Sequence, residues 1–284
     1  MIGLGSNRLT IARRGGMSVT QAGRGGMEWL AGGRWPRWST PYSAQATAAL
    51  KAQFPTQWPT IRDYGFAHPA LVPFINEDPM LVMSLIEGLG TRWLRTDDGA
   101  HIDTGFKATD YAHSYQYDVT WKTAQSSGGS IIGTIANNAG FGQIYVNGSI
   151  SQLWGGVGNQ NTNLNAALAL DTKYVDSVKF DFDAGKVTRI TDGVSQINTH
   201  NISTRPSTSA FLYAYNNGGS PAQKTKCSFA KVVLYGDGVK VREMYPFIRK
   251  INGVDTCGMI DVLSGTFYQN AGSGSFTISE TPAS

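Results

Sequence analysis

The chain has 284 residues, 41% of them apolar and only 15% charged, with 34 glycines and a net charge of +4. A chain of this length holds one large or two smaller folding units. The abundance of glycine, Asn, Ser and Thr argues for many turns and short strands and excludes an architecture of long helices.

The charge is unevenly placed. Met1 to Arg62 holds Arg8, Arg13, Arg14, Arg24, Arg34, Arg37, Lys51 and Arg62 against Glu28 alone, so this segment is +7 and the remainder −3. Such asymmetry suits an acidic partner. Its glycines recur in Ala12-Arg13-Arg14-Gly15-Gly16-Met17 and Ala22-Gly23-Arg24-Gly25-Gly26-Met27, followed by Gly32-Gly33-Arg34-Trp35-Pro36-Arg37-Trp38. Glycine at this density carries a high ordering entropy and offers little to bury. An extended arm that needs a partner to become ordered is the expectation. Arg13, Arg14 and Arg24 supply its charge, and Trp29, Trp35, Trp38 and Trp58 are the expected docking anchors, tryptophan being a residue that dominates contact energy between proteins. Nucleic acid is not the expected partner, because Trp35 and Trp58 sit against Pro36 and Pro59, which favours fixed docking over sliding along bases.

Between Thr40 and Arg62 one helix is predicted, capped by Thr40 or Ser43, rich in alanine, and ended by Pro55. The pairs Trp58-Pro59, His68-Pro69, Val72-Pro73 and Asp78-Pro79 predict an extended linker. A short helical turn is expected from Pro79 to Ile86. That stretch includes the longest apolar run, Leu81 to Ile86, which is broken by Ser84 and too short to cross a bilayer. With no apolar secretory stretch at the N-terminus, membrane insertion is not expected, and assembly in a reducing cytoplasm is. Cys227 and Cys257 are expected as buried free thiols.

From Gly88 the pattern turns to period two. Tyr115, Tyr117, Val119 and Trp121 alternate with Gln116, Asp118, Thr120 and Lys122, which marks a half-buried strand. Val178, Phe180 and Phe182 alternate likewise, and Asp183-Ala184-Gly185 turns that strand into Lys186 to Ile190. Asp192-Gly193 marks the next turn, and Phe211, Tyr213 and Tyr215 alternate beyond it. Further strands are predicted at Cys227 to Tyr235, Val239 to Phe247, Gly258 to Val262, Thr266 to Tyr268 and Ser275 to Ser279. Many short strands with Gly, Asn and Asp turns make an all-β sandwich or barrel.

Specific segments sharpen this reading. Ala100-His101-Ile102-Asp103-Thr104-Gly105 resembles the opening of a laminin-G-like, concanavalin A-like module. Lys231 to Gly238 resembles one of its strands with the following turn, and Tyr245-Pro246-Phe247 falls near another of its positions. The run from Gly258 to Phe276, which contains Asp261, Leu263-Ser264-Gly265, Phe267-Tyr268 and Asn270-Ala271-Gly272, is similar to its closing segment. The resemblance implies an antiparallel jelly-roll β-sandwich over residues 88–284, carried on an extended arm with one or two short helices over residues 1–87. Its closing turn and the flanking Phe267 and Phe276 are read as fold-determining.

Chemistry is sparse. Polysaccharide hydrolases of similar fold carry an acid and a second carboxylate on one concave face, and no such cluster stands here. Asp181 and Asp183 read as solvated hairpin charges, with a calcium site as the alternative. His68, His101, His113 and His200 lack metal-ligand spacing, and no phosphate loop or nucleophile elbow occurs. The expectation is a non-enzyme without cofactor or metal. The module is common in phage and gut-bacterial surface and virion proteins, so the resemblance implies a virion structural protein of decoration or fibre type. It would dock by its arm to other virion proteins and to sister subunits in a homotrimer or other cyclic oligomer. The alternative is a carbohydrate-binding adhesin for host-surface glycans, for which Trp154, Asn159 and Asn161 have the composition of a sugar site. A polysaccharide hydrolase is the third reading.

Overall fold

The computed structural model describes residues 2–5, 8–11, 19–22, 26–29, 39–96, 99–123, 129–136, 139–146, 150–157, 161–164, 172–199, 202 and 204–279. The chain divides into two compact units, residues 1–72 and 73–284. In the first, strands β1 (Ile2–Gly5), β2 (Arg8–Ile11), β3 (Val19–Ala22) and β4 (Gly26–Trp29) pair in sequence order as an antiparallel sheet. Helices α1 (Ala44–Gln53) and α2 (Trp58–Ala67) follow. Ser43 caps α1 as expected, its hydroxyl accepting the Ala46 N–H at 3.2 Å. Tyr42 is buried and donates its hydroxyl to the Ile61 carbonyl at 2.7 Å, which ties the entry of α1 to α2.

The extended linker predicted from the prolines is instead helical. Pro59 is the second residue of α2, and Pro69 opens a 3-10 turn over Pro69–Leu71. Pro73 is the second residue of α3 (Val72–Glu77), and Pro79 precedes α4 (Leu81–Gly88). Each ring occupies or precedes a first turn, where no intrahelical N–H partner is needed and the fixed φ suits the helix. Prolines at this spacing start helices as readily as they prevent them.

The second unit is the predicted antiparallel sandwich. Its elements after α4 are β5 (Trp93–Arg95), β6 (Ile102–Lys107), β7 (Ser114–Thr123), β8 (Gly129–Ala136), β9 (Ala139–Val146), β10 (Ile150–Val157), β11 (Asn161–Leu164), β12 (Tyr174–Asp181), β13 (Lys186–Thr191), β14 (Val194–Thr199), β15 (Ser209–Leu212), β16 (Tyr215–Asn217), β17 (Ser220–Ala222), β18 (Cys227–Gly236), β19 (Val239–Ile251), β20 (Val254–Asp261), β21 (Phe267–Tyr268) and β22 (Thr277–Ser279). One sheet runs β14-β13-β12-β7-β18-β19-β20-β21, with β5 on β18 and β22 on β5. The other runs β11-β10-β9-β8-β15-β6, with β16 parallel to β8 and β17 on β16.

The alternation read from the sequence decides which faces meet. Tyr115, Tyr117, Val119 and Trp121 of β7, with Val178 and Phe180 of β12, are buried in one core together with Phe106 of β6 and Phe141 of β9. Phe141 and Phe180 come from opposite sheets with ring centroids 4.8 Å apart, and Phe106 meets Tyr115 at 4.8 Å. Each such ring contributes about 2 to 3 kcal/mol by leaving water. A buried ion pair sits on the same inward face. Asp176 accepts from Arg189 Nη2 at 3.0 and 3.1 Å, from Trp121 Nε1 at 2.7 Å and from the Thr191 hydroxyl at 2.6 Å.

The turns follow the sequence signals. Asp192-Gly193 and Asp237-Gly238 both have positive φ at both residues, the two-residue hairpin geometry that matches strand twist, and Asn252-Gly253 makes a third of the same kind between β19 and β20. One predicted strand is broken. Tyr213 has φ of 67° and is fully buried, with its hydroxyl donating to the Leu94 carbonyl at 2.7 Å. The chain therefore leaves β15 at Leu212 and re-enters as β16, so Phe211, Tyr213 and Tyr215 do not share one strand. Tertiary packing of the Tyr213 ring, 4.8 Å from Phe229 and 5.0 Å from Phe276, outweighs the local cost of the left-handed backbone.

Candidate functional site

The two segments with the strongest resemblance meet in space, and they serve the fold. The His101 backbone N–H donates to Asn270 Oδ1 at 3.2 Å, and the Ala271 N–H returns to the His101 carbonyl at 2.9 Å. The His101 ring stacks on Phe211 with centroids 4.7 Å apart. Burial holds the imidazole below its usual pKa, and Lys224 adds to the effect. Asp261 is fully buried and organises the closing turn by accepting from Leu263 N at 3.1 Å and from the Ser264 hydroxyl at 2.5 Å. The same carboxylate accepts the Glu243 backbone N–H at 2.9 Å.

That last bond anchors the most elaborate polar surface among the described residues, the outer face of the sheet centred on β7 and β18. Cross-strand partners share a face, and the registers give one row of Ser195, Ile190, Ser177, Asp118, Val233 and Glu243. The adjacent row is Ile197, Thr188, Lys179, Gln116, Tyr235 and Lys240. Glu243 is the hub. Lys231 Nζ lies 2.8 Å from its Oε1, the Tyr245 hydroxyl donates to Oε1 at 2.7 Å, and Lys240 Nζ donates to Oε2 at 2.7 Å. Burial by itself would raise the Glu243 carboxyl, but the hydrogen bonds from Lys231, Lys240 and Tyr245 override it and lower the pKa to about 2. Lys231 Nζ also sits 5.3 Å from the Tyr245 ring centroid.

One strand over, Gln116 Nε2 donates to Asp118 Oδ1 at 3.0 Å and to the Ser177 hydroxyl at 3.3 Å. Burial, then hydrogen bonding to Asp118, raises the Tyr235 hydroxyl to about 12. The face therefore presents two half-exposed tyrosines among amide, carboxylate and ammonium groups held in fixed positions by one another. In the sequence, Lys231 to Tyr235 and Tyr245 carry only a fold motif. The signal that could have found the face is the polar set of the alternation, Gln116, Asp118, Lys231, Tyr235, Glu243 and Tyr245.

Two of the expected glycan residues, Trp154 and Asn161, fall on the other sheet. Trp154 of β10 is the direct cross-strand partner of Asn161 on β11 and of Gly142 on β9, so the register brings those two candidates together at a sheet edge. Asn159 lies outside the described residues. Of the docking anchors, Arg13, Arg14, Arg24, Trp35 and Trp38 lie outside the described residues, and Trp29 is the last residue of β4. Trp58 packs within its own unit, with the Tyr42 ring 6.3 Å away and Lys51 Nζ 5.0 Å from its centroid.

Asp181 and Asp183 behave as hairpin charges. Asp181 accepts from Lys179 Nζ at 3.2 Å and Ala184 N at 3.0 Å, while exposed Asp183 meets His113 Nδ1 at 2.9 Å. Among the described residues no group of His, Cys, Asp and Glu is arranged to hold a metal ion, and no helix is long and apolar enough to cross a membrane. Cys227 is a buried free thiol as expected, while Cys257 is also free but only half-buried, which corrects the expectation for that residue.

No protein-family model matches the sequence, and no curated protein matches it either. Solved structures do. A Bacteroides ovatus protein assigned to carbohydrate binding aligns with a TM-score of 0.50 at 12% identity, over 67% of this chain and 60% of that one. Domains LG4-5 of the mouse laminin α1 chain align over 67% of this chain and 46% of that chain at 12% identity and a TM-score of 0.43. The heptameric SAP-like pentraxin from Limulus polyphemus aligns over 68% and 96% at 8% identity and 0.44. The chain thus spans about three-fifths of the length of the Bacteroides ovatus protein. Together with the topology above, the likeness shows the fold alone: the strands from β5 onward form an antiparallel jelly-roll β-sandwich.

Proposed function

We propose that the sandwich is a non-catalytic carbohydrate-binding module that uses the outer face built on β7, β18 and β19. The observation that carries this reading is the preorganised cluster around Glu243, where Tyr235 and Tyr245 stand among fixed donors and acceptors. A sugar needs an aromatic surface for its C–H face and rigid polar groups for its hydroxyls. The fold-level likeness to a Bacteroides ovatus protein assigned to carbohydrate binding is consistent with this reading. Binding is favoured over hydrolysis by the state of Glu243. With a pKa of about 2 it has no proton to donate near neutral pH, whereas glycoside cleavage needs a protonated acid facing a second carboxylate.

A glycan array followed by calorimetry tests the proposal. Tyr235→Ala and Tyr245→Ala are expected to weaken binding at least tenfold, each loss corresponding to one stacking or hydrogen-bonding contact, while Trp154→Ala leaves it unchanged. Loss confined to Trp154→Ala moves the site to the β10–β11 edge, and a uniformly silent array removes the function.

The first 62 residues favour a second, compatible role. Their charge of +7 against −3 for the rest supports docking of this N-terminal segment to an acidic virion protein. A variant lacking residues 1–62 is expected to lose that attachment, and full retention would remove the docking role.

A further inference from the structure

The sheet that carries the Glu243 face ends in a strand that, among the described residues, has no covering element. β14, Val194–Thr199, reads VSQINT, without a charge or a proline, and among the described residues it is hydrogen-bonded to β13 alone. Its aliphatic residues face water, with Val194 67% and Ile197 63% exposed. On the outer face Ile197 lies diagonal to Ile190, which in turn lies diagonal to Val175, and both of these are also exposed. An apolar stripe therefore crosses three strands and stops at the free edge. The other margins of the two sandwich sheets differ. β17, β21 and β22 are two or three residues long and β11 four, while β6 is covered where Arg242 Nε donates to the Thr104 carbonyl at 3.1 Å. Soluble sheets guard long edges with charges, proline or a covering element, because the unpaired N–H and C=O groups otherwise template another strand.

We propose that β14 pairs antiparallel with the β14 of a second copy of this chain about a two-fold axis. The free edge specifies an extended backbone as its occupant. Antiparallel self-pairing places uncharged residues opposite uncharged ones, so two copies meet without repulsion, and an isologous contact closes on itself. With the axis at Ile197, the two Ile197 side chains oppose each other and extend the stripe of Ile190 and Val175 across both sheets. The contact is one strand wide, so the dimer is weak and concentration-dependent.

Sedimentation equilibrium of the full chain from about 1 to 200 μM tests this. The weight-average mass is expected to rise from 30.6 kDa towards twice that value. Ile197→Lys, at a site too exposed to disturb the fold, is expected to raise the dimer dissociation constant at least tenfold. Ile197→Cys is expected to give a covalent dimer on mild oxidation. A wild-type chain that stays monomeric throughout overturns the proposal. So does self-association that Ile197→Lys leaves intact, which would place the contact elsewhere on the chain.

Discussion

Removing the Asp176 carboxylate should cost more than any other single polar change in the sandwich. The group is fully buried and is the acceptor for Arg189 Nη2, Trp121 Nε1 and the Thr191 hydroxyl, and Arg189 is itself only 1% exposed. Asp176→Ala strands a guanidinium between the sheets, a change worth about 3 to 5 kcal/mol for a buried pair that loses one partner. Against a total stability of about 5 to 15 kcal/mol, that lowers the melting temperature of the sandwich by roughly 10 °C. The double variant Asp176→Leu with Arg189→Met removes both charges at similar volume and leaves chiefly the Trp121 N–H unpaired, a cost of about 1 to 2 kcal/mol. The double variant should therefore be more stable than Asp176→Ala. Urea unfolding followed by near-ultraviolet circular dichroism measures each variant, with unchanged m-values as the check that one transition is compared. A loss below about 1 kcal/mol for Asp176→Ala would refute the reasoning, as would a double variant as unstable as the single one.

Acid should weaken the Glu243 cluster specifically. Its folded pKa of about 2 lies below the ordinary 4.5, so its stabilisation is complete above 4.5 and is lost as pH falls towards 2. After allowance for screening at the partly exposed Lys231 and Lys240, the effect is about 1 to 2 kcal/mol, and Glu243→Gln should flatten this part of the pH–stability curve. His101 acts in a higher window. Burial depresses its pKa in the fold, so stability falls as pH drops below about 6.5, where the unfolded imidazole takes up its proton more readily than the folded one. His101→Phe should abolish that slope in urea titrations at pH 7.5 and 5.0. At Gly236 an added Cβ would overlap the Tyr111 ring. Gly236→Ala should therefore cost about 1 to 3 kcal/mol, and a Tyr111→Ala background should recover part of it in the same titration.

How far the fold was legible depends on how local each signal is. The inward set Tyr115, Tyr117, Val119 and Trp121 and the turn at Asp192-Gly193 are legible because period two and two-residue turn chemistry act within a few residues, while the turn at Asp237-Gly238 is implied by the resemblance of Lys231 to Gly238. Asn252-Gly253 carried the same turn signal and joins two strands that were read as separate. The prolines from Pro59 to Pro79 are ambiguous in sequence, because a proline defines the residue before it and the turn after it equally well, and only packing chooses between them. Burial of Leu71, Ile75, Val82 and Leu85 is the packing that accompanies the helical choice.

The chain's own order of residues determined that it is an all-β sandwich, where its faces divide, and that its N-terminal segment is basic. Only the tertiary structure decided that Glu243 meets Lys231, that Asp176 meets Arg189 and Trp121, and that β14 lies last in its sheet among the described strands. Strand order joins segments tens of residues apart. No local pattern encodes which strand will lie beside which, because that choice is made by the whole core closing at once.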